Sequence, residues 1–300
     1  MRNVSVRKAL CLGFLVLLLV VPSVAAASPF SHIVVFGDSL SDDGNLFALD
    51  PGNVPASKYY RGRFSNGPVW VEYLAGPDLL DATLVNNAYG GATTDGSTPP
   101  GLGLQISAYT ATADVLPDAL YVIWIGANDF LGGASDFETP AANIETAMED
   151  LAQFGANHIL VVDLPDLGAV PRNNGDVNTA QVATALTKGF NTKLAAVVAD
   201  FRTAHPSVKV YEFSAFDLFA DVIANPDDYG IGNADAICPN FLIDDDFDND
   251  GNYLFWDDLH PTTEAHAVIA EEAARVLPSD DGDGDGGSGA AGCFIGLMGR

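Results

Sequence analysis

Basic residues are scarce in this chain. Thirteen lysines and arginines stand against 40 aspartates and glutamates, a formal charge of −27 at pH 7 over 300 residues. A surplus of that sign repels phosphate backbones and anionic headgroups, which excludes binding to nucleic acid or anionic membranes through bulk charge. Cysteine is nearly absent as well, with three in all. Cys11 lies in an N-terminal leader, and the remaining pair, Cys238 and Cys293, is too few for a disulfide framework. No internal repeat is visible. Apolar residues, at 48%, are plentiful, so a sizeable core is available and general disorder is excluded.

The two ends of the chain differ from its middle. Arg2, Arg7 and Lys8 precede the apolar stretch ALCLGFLVLLLVVPSV, which runs into the small residues AAAS. Basic, apolar and small in that order is the layout of a secretory signal peptide, cleaved after Ala26 or Ala27. The apolar run is short for a spanning helix. At the other end, SDDGDGDGGSGAAG is rich in Gly, Asp and Ser and predicts a disordered segment. It closes in GCFIGLMGR, and the whole is similar to bacterial C-terminal tails of the Gly-rich, Cys-Phe-Ile type. The expected organisation is a leader over 1–27, one domain over 28–278 and a tail over 279–300. The protein is therefore expected to be secreted, extracellular or periplasmic, with the tail a candidate for surface attachment.

Between those ends, five short apolar runs occupy 32–36, 83–87, 120–125, 158–163 and 208–213. They are nearly continuous rather than alternating, as in strands covered on both faces. Helical stretches fall between them at 68–74 (with Asn66 as the expected cap), 143–154, 182–201 and 262–276. Strands alternating with helices predict an α/β fold, a three-layer α/β/α sandwich around a central, mostly parallel five-stranded sheet.

An open parallel sheet presents its functional groups at the C-terminal ends of its strands. The first run ends in Gly37-Asp38-Ser39, the second leads into Asn86-Asn87-Ala88-Tyr89-Gly90-Gly91, and the third into Gly126-Ala127-Asn128-Asp129. FWDDLHPT brings Asp257 and His260 to the start of the last helix. A serine nucleophile needs a base, a carboxylate to orient that base, and donors for the developing oxyanion. His260 with Asp257 supplies the first two, and the amides of Ser39, Gly91 and Asn128 supply the third. Each piece has an ordinary alternative. Ser39 is also a turn residue, Gly90-Gly91 a loop, Asn128-Asp129 a cap-like turn, and Asp257 with His260 a helix entry before Pro261. Only their common placement favours chemistry.

Together, GDSLSDDGN, NNAYGGATT, IGANDF and FWDDLHPT resemble the four sequence blocks of the GDSL esterases and lipases, the SGNH hydrolase superfamily. YYRGRFSNGPVWVEYLA and LPDLGAVPR are similar to stretches of the branch that includes haemolysin-like phospholipases. The resemblance spans 31–277 and implies a flavodoxin-like SGNH fold and a serine esterase or lipase. It places the nucleophile on Ser39, the oxyanion donors on Ser39, Gly91 (Gly90 if the register slips by one) and Asn128, the acid on Asp257 and the base on His260. Family spacing selects Asp257 over Asp258. The superfamily serine does not sit in a G-x-S-x-G elbow, and none surrounds Ser39. His32, His158, His205 and His266 match no block, and His266 is expected on the surface.

The resemblance implies no cofactor. It implies a small-molecule or lipid ester as partner, with transient contact at a lipid interface. A carbohydrate O-deacetylase of the same fold and a non-catalytic binding module are the alternative functions. The insertion DDDFDNDG begins like an EF-hand loop with Asp246, Asp248 and Asp250, but its twelfth position is Asp257. A complete calcium loop is therefore disfavoured, and a solvated acidic loop is expected.

Overall fold

Runs of β-branched and aromatic residues form the expected strands in a computed structural model of the protein, which describes residues 28–50, 54–243 and 247–278. The strands are β1 (His32–Gly37), β2 (Thr83–Asn86), β3 (Leu120–Trp124), β4 (His158–Val162) and β5 (Lys209–Phe213). All pair in parallel, in the order β2-β1-β3-β4-β5. The helices of the described chain are α1 (Asn45–Leu49), α2 (Trp70–Ala75), α3 (Leu102–Thr110), α4 (Ala127–Leu131), α5 (Glu138–Phe154), α6 (Pro171–Asn174), α7 (Val177–Ala204), α8 (Ala215–Ala224), α9 (Pro239–Ile243) and α10 (Thr263–Arg275).

Alternate strand residues enter two separate cores. Ile33 and Val35 of β1 pack with Val122 and Trp124 of β3 beneath α2, α8 and α10. Val34 and Phe36 face the other way, with Tyr121 and Ile123, beneath α3, α5 and α7. The result is the three-layer α/β/α sandwich. A strand covered on both faces gains nothing from polar alternation, hence its unbroken apolar sequence. The chain order reverses between β1 and β3, and the crevice at that switch point is where such sheets bind ligands.

Several elements depart from the sequence reading. Helix α2 starts at Trp70, and Glu72 closes its first turn by accepting from Val69 N at 2.9 Å. Asn66 does not cap it. Its Oδ1 accepts from Thr263 N at 2.8 Å and its Nδ2 donates to the Phe247 carbonyl at 2.9 Å, so it ties the chain to the start of α10. Helix α5 begins earlier than expected because Asp136 accepts from Glu138 N at 2.9 Å. Helices α3 and α8 were not anticipated. Nor was a second sheet, in which β6 (Asn233–Ile237) and β7 (Tyr253–Phe255) pair in parallel. The leader, the tail and Asp244–Asp246 of the acidic insertion lie outside the described residues. Among those described, Cys238 is a buried free thiol, and no helix is long and apolar enough to cross a membrane.

His266 is the clearest reversal. It was expected at the surface, yet it is completely buried on α10, and neither ring nitrogen finds a partner among the described residues. Helical spacing puts it on the same face as Ile269, Ala270 and Ala273, which line one core. Burial, with a smaller contribution from the charge of His260, pushes its pKa down from 6.5 to about 3. The unfolded chain therefore binds the extra proton over that interval and the folded chain does not, so stability falls as pH drops from about 6.5 towards 3. The full penalty is on the order of a few kcal/mol. Replacing His266 with Leu should flatten this acid slope, measured as urea midpoints at several pH values between neutrality and mild acid. Parallel slopes in the two proteins would contradict it.

Candidate active site

The loop that carries Ser39 is set by a close approach of β1 to β3. A Cβ on Gly37 would lie 2.6 Å from the Trp124 carbonyl oxygen, so only glycine fits there. Gln105 of α3 grips the same residue, accepting from Gly37 N at 2.9 Å and donating to Gly37 O at 2.8 Å. Beyond it the chain folds back on Asp38. Ser41 N and Asp42 N donate to its carbonyl, and Leu40 N donates to its Oδ1 at 3.1 Å. Asp38 thus shapes the turn, and Ser39 sits at its crest. The second hydroxyl of this run, Ser41, accepts from Trp70 Nε1 at 3.0 Å and is buried.

The other half arrives from the far end of the chain. Strand β7 leads into a tight loop closed by Trp256 N donating to the His260 carbonyl at 2.8 Å. Within it, Asp257 Oδ1 accepts from Leu259 N at 2.7 Å and His260 N at 2.6 Å. Its Oδ2 lies 2.7 Å from His260 Nδ1, and His260 Nε2 lies 2.8 Å from Ser39 Oγ. A carboxylate at Nδ1 requires the proton on that nitrogen, which leaves Nε2 to accept from the serine. Burial opposes ionisation of Asp257, but the charge of His260 and hydrogen bonds from His260 and Tyr59 outweigh it. They hold the carboxyl well below the usual range. Asp258 turns away and pairs in two-pronged fashion with Arg172 (3.0 and 2.8 Å).

The candidate oxyanion donors divide by what else they bond. Gly90 N donates to Asp42 Oδ2 at 2.7 Å, so that amide is taken. Among the described residues the amides of Ser39 and Gly91 have no acceptor, and Gly91 has φ near +75°, in the left-handed region. Of the two glycine amides, that of Gly91 is therefore the one left open to a ligand. Asn128, at the start of α4, donates one amide hydrogen to the Ala92 carbonyl at 3.0 Å, which binds it to the same loop. Its second hydrogen remains for a ligand. Next to it, Asp129 accepts from Thr94 N and Thr94 Oγ1.

Sequence reasoning overlooked Tyr59, Gln105 and Asp42. The last stood in plain view in GDSLSDDGN, and it accepts from the amides of Gly44, Asn45, Leu46 and Gly90. It fastens the chain just after Ser39 to the glycine loop. Burial pushes neighbouring Asp38 up to about 7, against the stabilising bond from Leu40 N.

Ser39, Asn128 and His260 open on one pocket whose remaining walls are mostly apolar: Leu40, Ala127, Pro165, Leu167, Val170, Phe219, Phe255, Leu259 and Pro261. LPDLGAVPR therefore has a role beyond resemblance, contributing three wall residues and Arg172. Asp257, the twelfth position of the EF-hand-like pattern, has both oxygens bonded among the described residues, and Asp246, its first, lies outside them. Among the described residues no group of three or more His, Cys, Asp or Glu side chains converges on a metal position.

Fold and site together define a three-layer α/β/α protein with a Ser-His-Asp relay at its switch point. Residues 33–273 match the family described as GDSL-like Lipase/Acylhydrolase, and the chain belongs to it, as a hydrolase. It is 30% identical to a phosphatidylcholine-sterol acyltransferase of Aeromonas hydrophila, over 83% of this chain and 91% of that protein. It is 27% identical to a thermolabile hemolysin of Vibrio parahaemolyticus, over 83% of this chain and 64% of that protein. Among solved structures, a lipolytic G-D-S-L family protein of Veillonella parvula covers 82% of this chain, and the match covers 97% of that protein, at 17% identity and a TM-score of 0.49.

Asp42→Ala would strand four amides, three of them at Gly44 and the first turn of α1, just after Ser39, and the fourth at Gly90. Bonds to a buried carboxylate are individually strong, so the loss should be on the order of 3 kcal/mol. In a chain of this size that lowers the melting temperature by roughly 5–10 °C. A melting curve superimposable on wild type would show that Asp42 does not fasten the loops.

Proposed function

We propose that the protein is a secreted carboxylic-ester hydrolase working through an acyl-enzyme on Ser39. The observation that carries this reading is the unbroken hydrogen-bond chain from Asp257 through His260 to Ser39, ending at an apolar pocket. Ser39 Oγ attacks the ester carbonyl while His260 Nε2 takes its proton. The carbonyl oxygen, now negative, is received by the amides of Ser39 and Gly91 and the side chain of Asn128. As the tetrahedral intermediate collapses, the C–O bond to the alcohol breaks and His260 returns the proton to the leaving oxygen. Water then repeats the sequence against the acyl-enzyme, again with His260 as base. A relative named for phosphatidylcholine-sterol acyl transfer fits the same first half, since hydrolysis and transfer differ only in which acceptor takes the acyl group.

The pocket favours an alkyl acyl chain over an acetylated sugar. Its polar members, Asp38, Ser39, Asn128 and His260, cluster at the reacting end, and the walls beyond offer an alcohol-rich ligand no hydrogen bonds from side chains. The net charge of −27 disfavours anionic lipid, so a neutral or zwitterionic ester, met transiently at a lipid interface, is the better match. The leader-like N-terminus supports export, and the tail supports attachment at the cell surface.

Ser39→Ala should lower kcat on p-nitrophenyl esters by at least ~10³-fold with the fold intact. A fluorophosphonate should label wild type stoichiometrically and leave the variant unlabelled. Across a series of acyl lengths, kcat/KM should rise from acetyl to medium chains. Full activity in Ser39→Ala would overturn the mechanism, and preference for acetylated sugars over every alkyl ester would overturn the substrate class.

A further inference from the structure

The segment YYRGRFSNGPVW has no part in the chemistry above, yet it delivers a phenol to the centre of it. Tyr59 OH donates to Asp257 Oδ2 at 2.5 Å, the same oxygen that faces His260 Nδ1 at 2.7 Å. Its ring meets the imidazole edge to face, with centroids 6.4 Å apart and planes at 90°. Phe64 and Phe241 flank it at 5.6 and 5.4 Å.

The backbone around Tyr59 is pinned from several sides. Tyr59 N donates to the Ala56 carbonyl at 3.1 Å and Tyr60 N to the Ser65 carbonyl at 2.8 Å. Trp256 Nε1, from the triad's own loop, donates to the Lys58 carbonyl at 3.0 Å. Lys58 Nζ reaches the Phe241 carbonyl at 3.0 Å. A phenol held this firmly against one carboxylate oxygen is a built contact, distinct from the ring packing around it.

We propose that Tyr59 is a positioning residue for the catalytic pair, fixing the rotamer of Asp257 and sharing the charge on Oδ2 with His260. A lone carboxylate can rotate about its last torsion and offer either oxygen to the imidazole. With Oδ1 bonded to two backbone amides and Oδ2 to the phenol, that freedom is removed. The phenol also draws on negative charge that would otherwise act on the imidazolium alone. His260 must accept a proton from Ser39 Oγ as the Oγ–C bond forms, then release it to the leaving oxygen as the ester C–O bond breaks. An imidazolium stabilised by the full carboxylate charge releases that proton less readily. Tyr59 stays protonated for this task, since burial and the adjacent Asp257 charge both raise its pKa.

The inference rests on the Ser39 hydrolase reading, and its test separates the two. Tyr59→Phe keeps the ring against Phe64 and Phe241 and removes only the hydroxyl. The expected result is a roughly 10-fold lower kcat with KM within about twofold. The acid limb of kcat/KM should move to higher pH by about half a unit or more, because the protonated imidazole gains the undivided charge of Asp257. The other titratable or charged groups facing this pair are Asp38 beside the nucleophile, Arg172 on α6, the adjacent Asp258, and His266 on α10. All are retained in the variant, so the shift reports the hydroxyl.

A double-mutant cycle adds a readout that packing would not produce. In an Asp257→Asn background, removing the Tyr59 hydroxyl should cost less than about twofold, since its partner charge is gone. Fluorophosphonate labelling of Ser39 in both Tyr59 proteins checks that the nucleophile is present. Failure of wild type to label would overturn the hydrolase reading itself. With labelling intact, a pH profile that superimposes on wild type would overturn the role of Tyr59. So would a rate loss with the acid limb unmoved, or an equal loss in both Asp257 backgrounds.

Discussion

Asp257 is the residue on which the site is built. A buried carboxylate is costly unless its lone pairs are met, and this one accepts from Leu259 N, His260 N, His260 Nδ1 and Tyr59 OH. Those four bonds fix the loop, the tautomer of His260 and the place of the 59–75 segment at once. With Nδ1 committed to the acid, Nε2 has only one orientation, and Ser39 lies on it. The neighbouring Asp258 shows what the same residue type does without that enclosure. It is half-exposed and pairs with Arg172 at the rim.

The framework of this site was legible because parallel sheets make it so. Strands buried on both faces leave unbroken apolar runs, and their C-terminal ends carry the polar groups. Ser39, Asn128 and the Gly90-Gly91 pair could therefore be placed without coordinates. What could not be read acts across long separations. Gln105 holds Gly37 from 68 positions away, and Tyr59 reaches Asp257 across 198. Nothing in the local pattern of either residue announces its partner. The choice between Gly90 and Gly91 depended likewise on Asp42, which takes one amide and leaves the other.

His266 and Asn66 failed for related reasons. Histidine and asparagine are commonly exposed, and each invites a local reading, as a surface residue or a helix cap. In both cases tertiary packing decided otherwise. The face of α10 that buries His266 is the face the apolar residues dictate, and the ring follows its backbone position regardless of polarity. Asn66 spends its two polar atoms on the start of α10 and the 247 carbonyl, trading a local turn for a long-range tether. The small β6–β7 sheet belongs to the same class. Its strands are short and split by the acidic insertion, so neither stands out alone.

Ser39 and His260 are 221 residues apart, so the contact between them joins the two ends of the domain. A chain that emerges from its N-terminus presents Ser39 early, and the residues of all five central strands precede His260 in the sequence. Ser39 then has a strand and a turn but nothing to take its proton. His260 is held beside it where β7 and α10 meet the α2 region, through the bonds from Ser65 Oγ to the Pro261 carbonyl and from Thr263 Oγ1 to the Pro68 carbonyl. The Ser39–His260 bond is thus a property of the closed domain, since it needs residues from both of its ends.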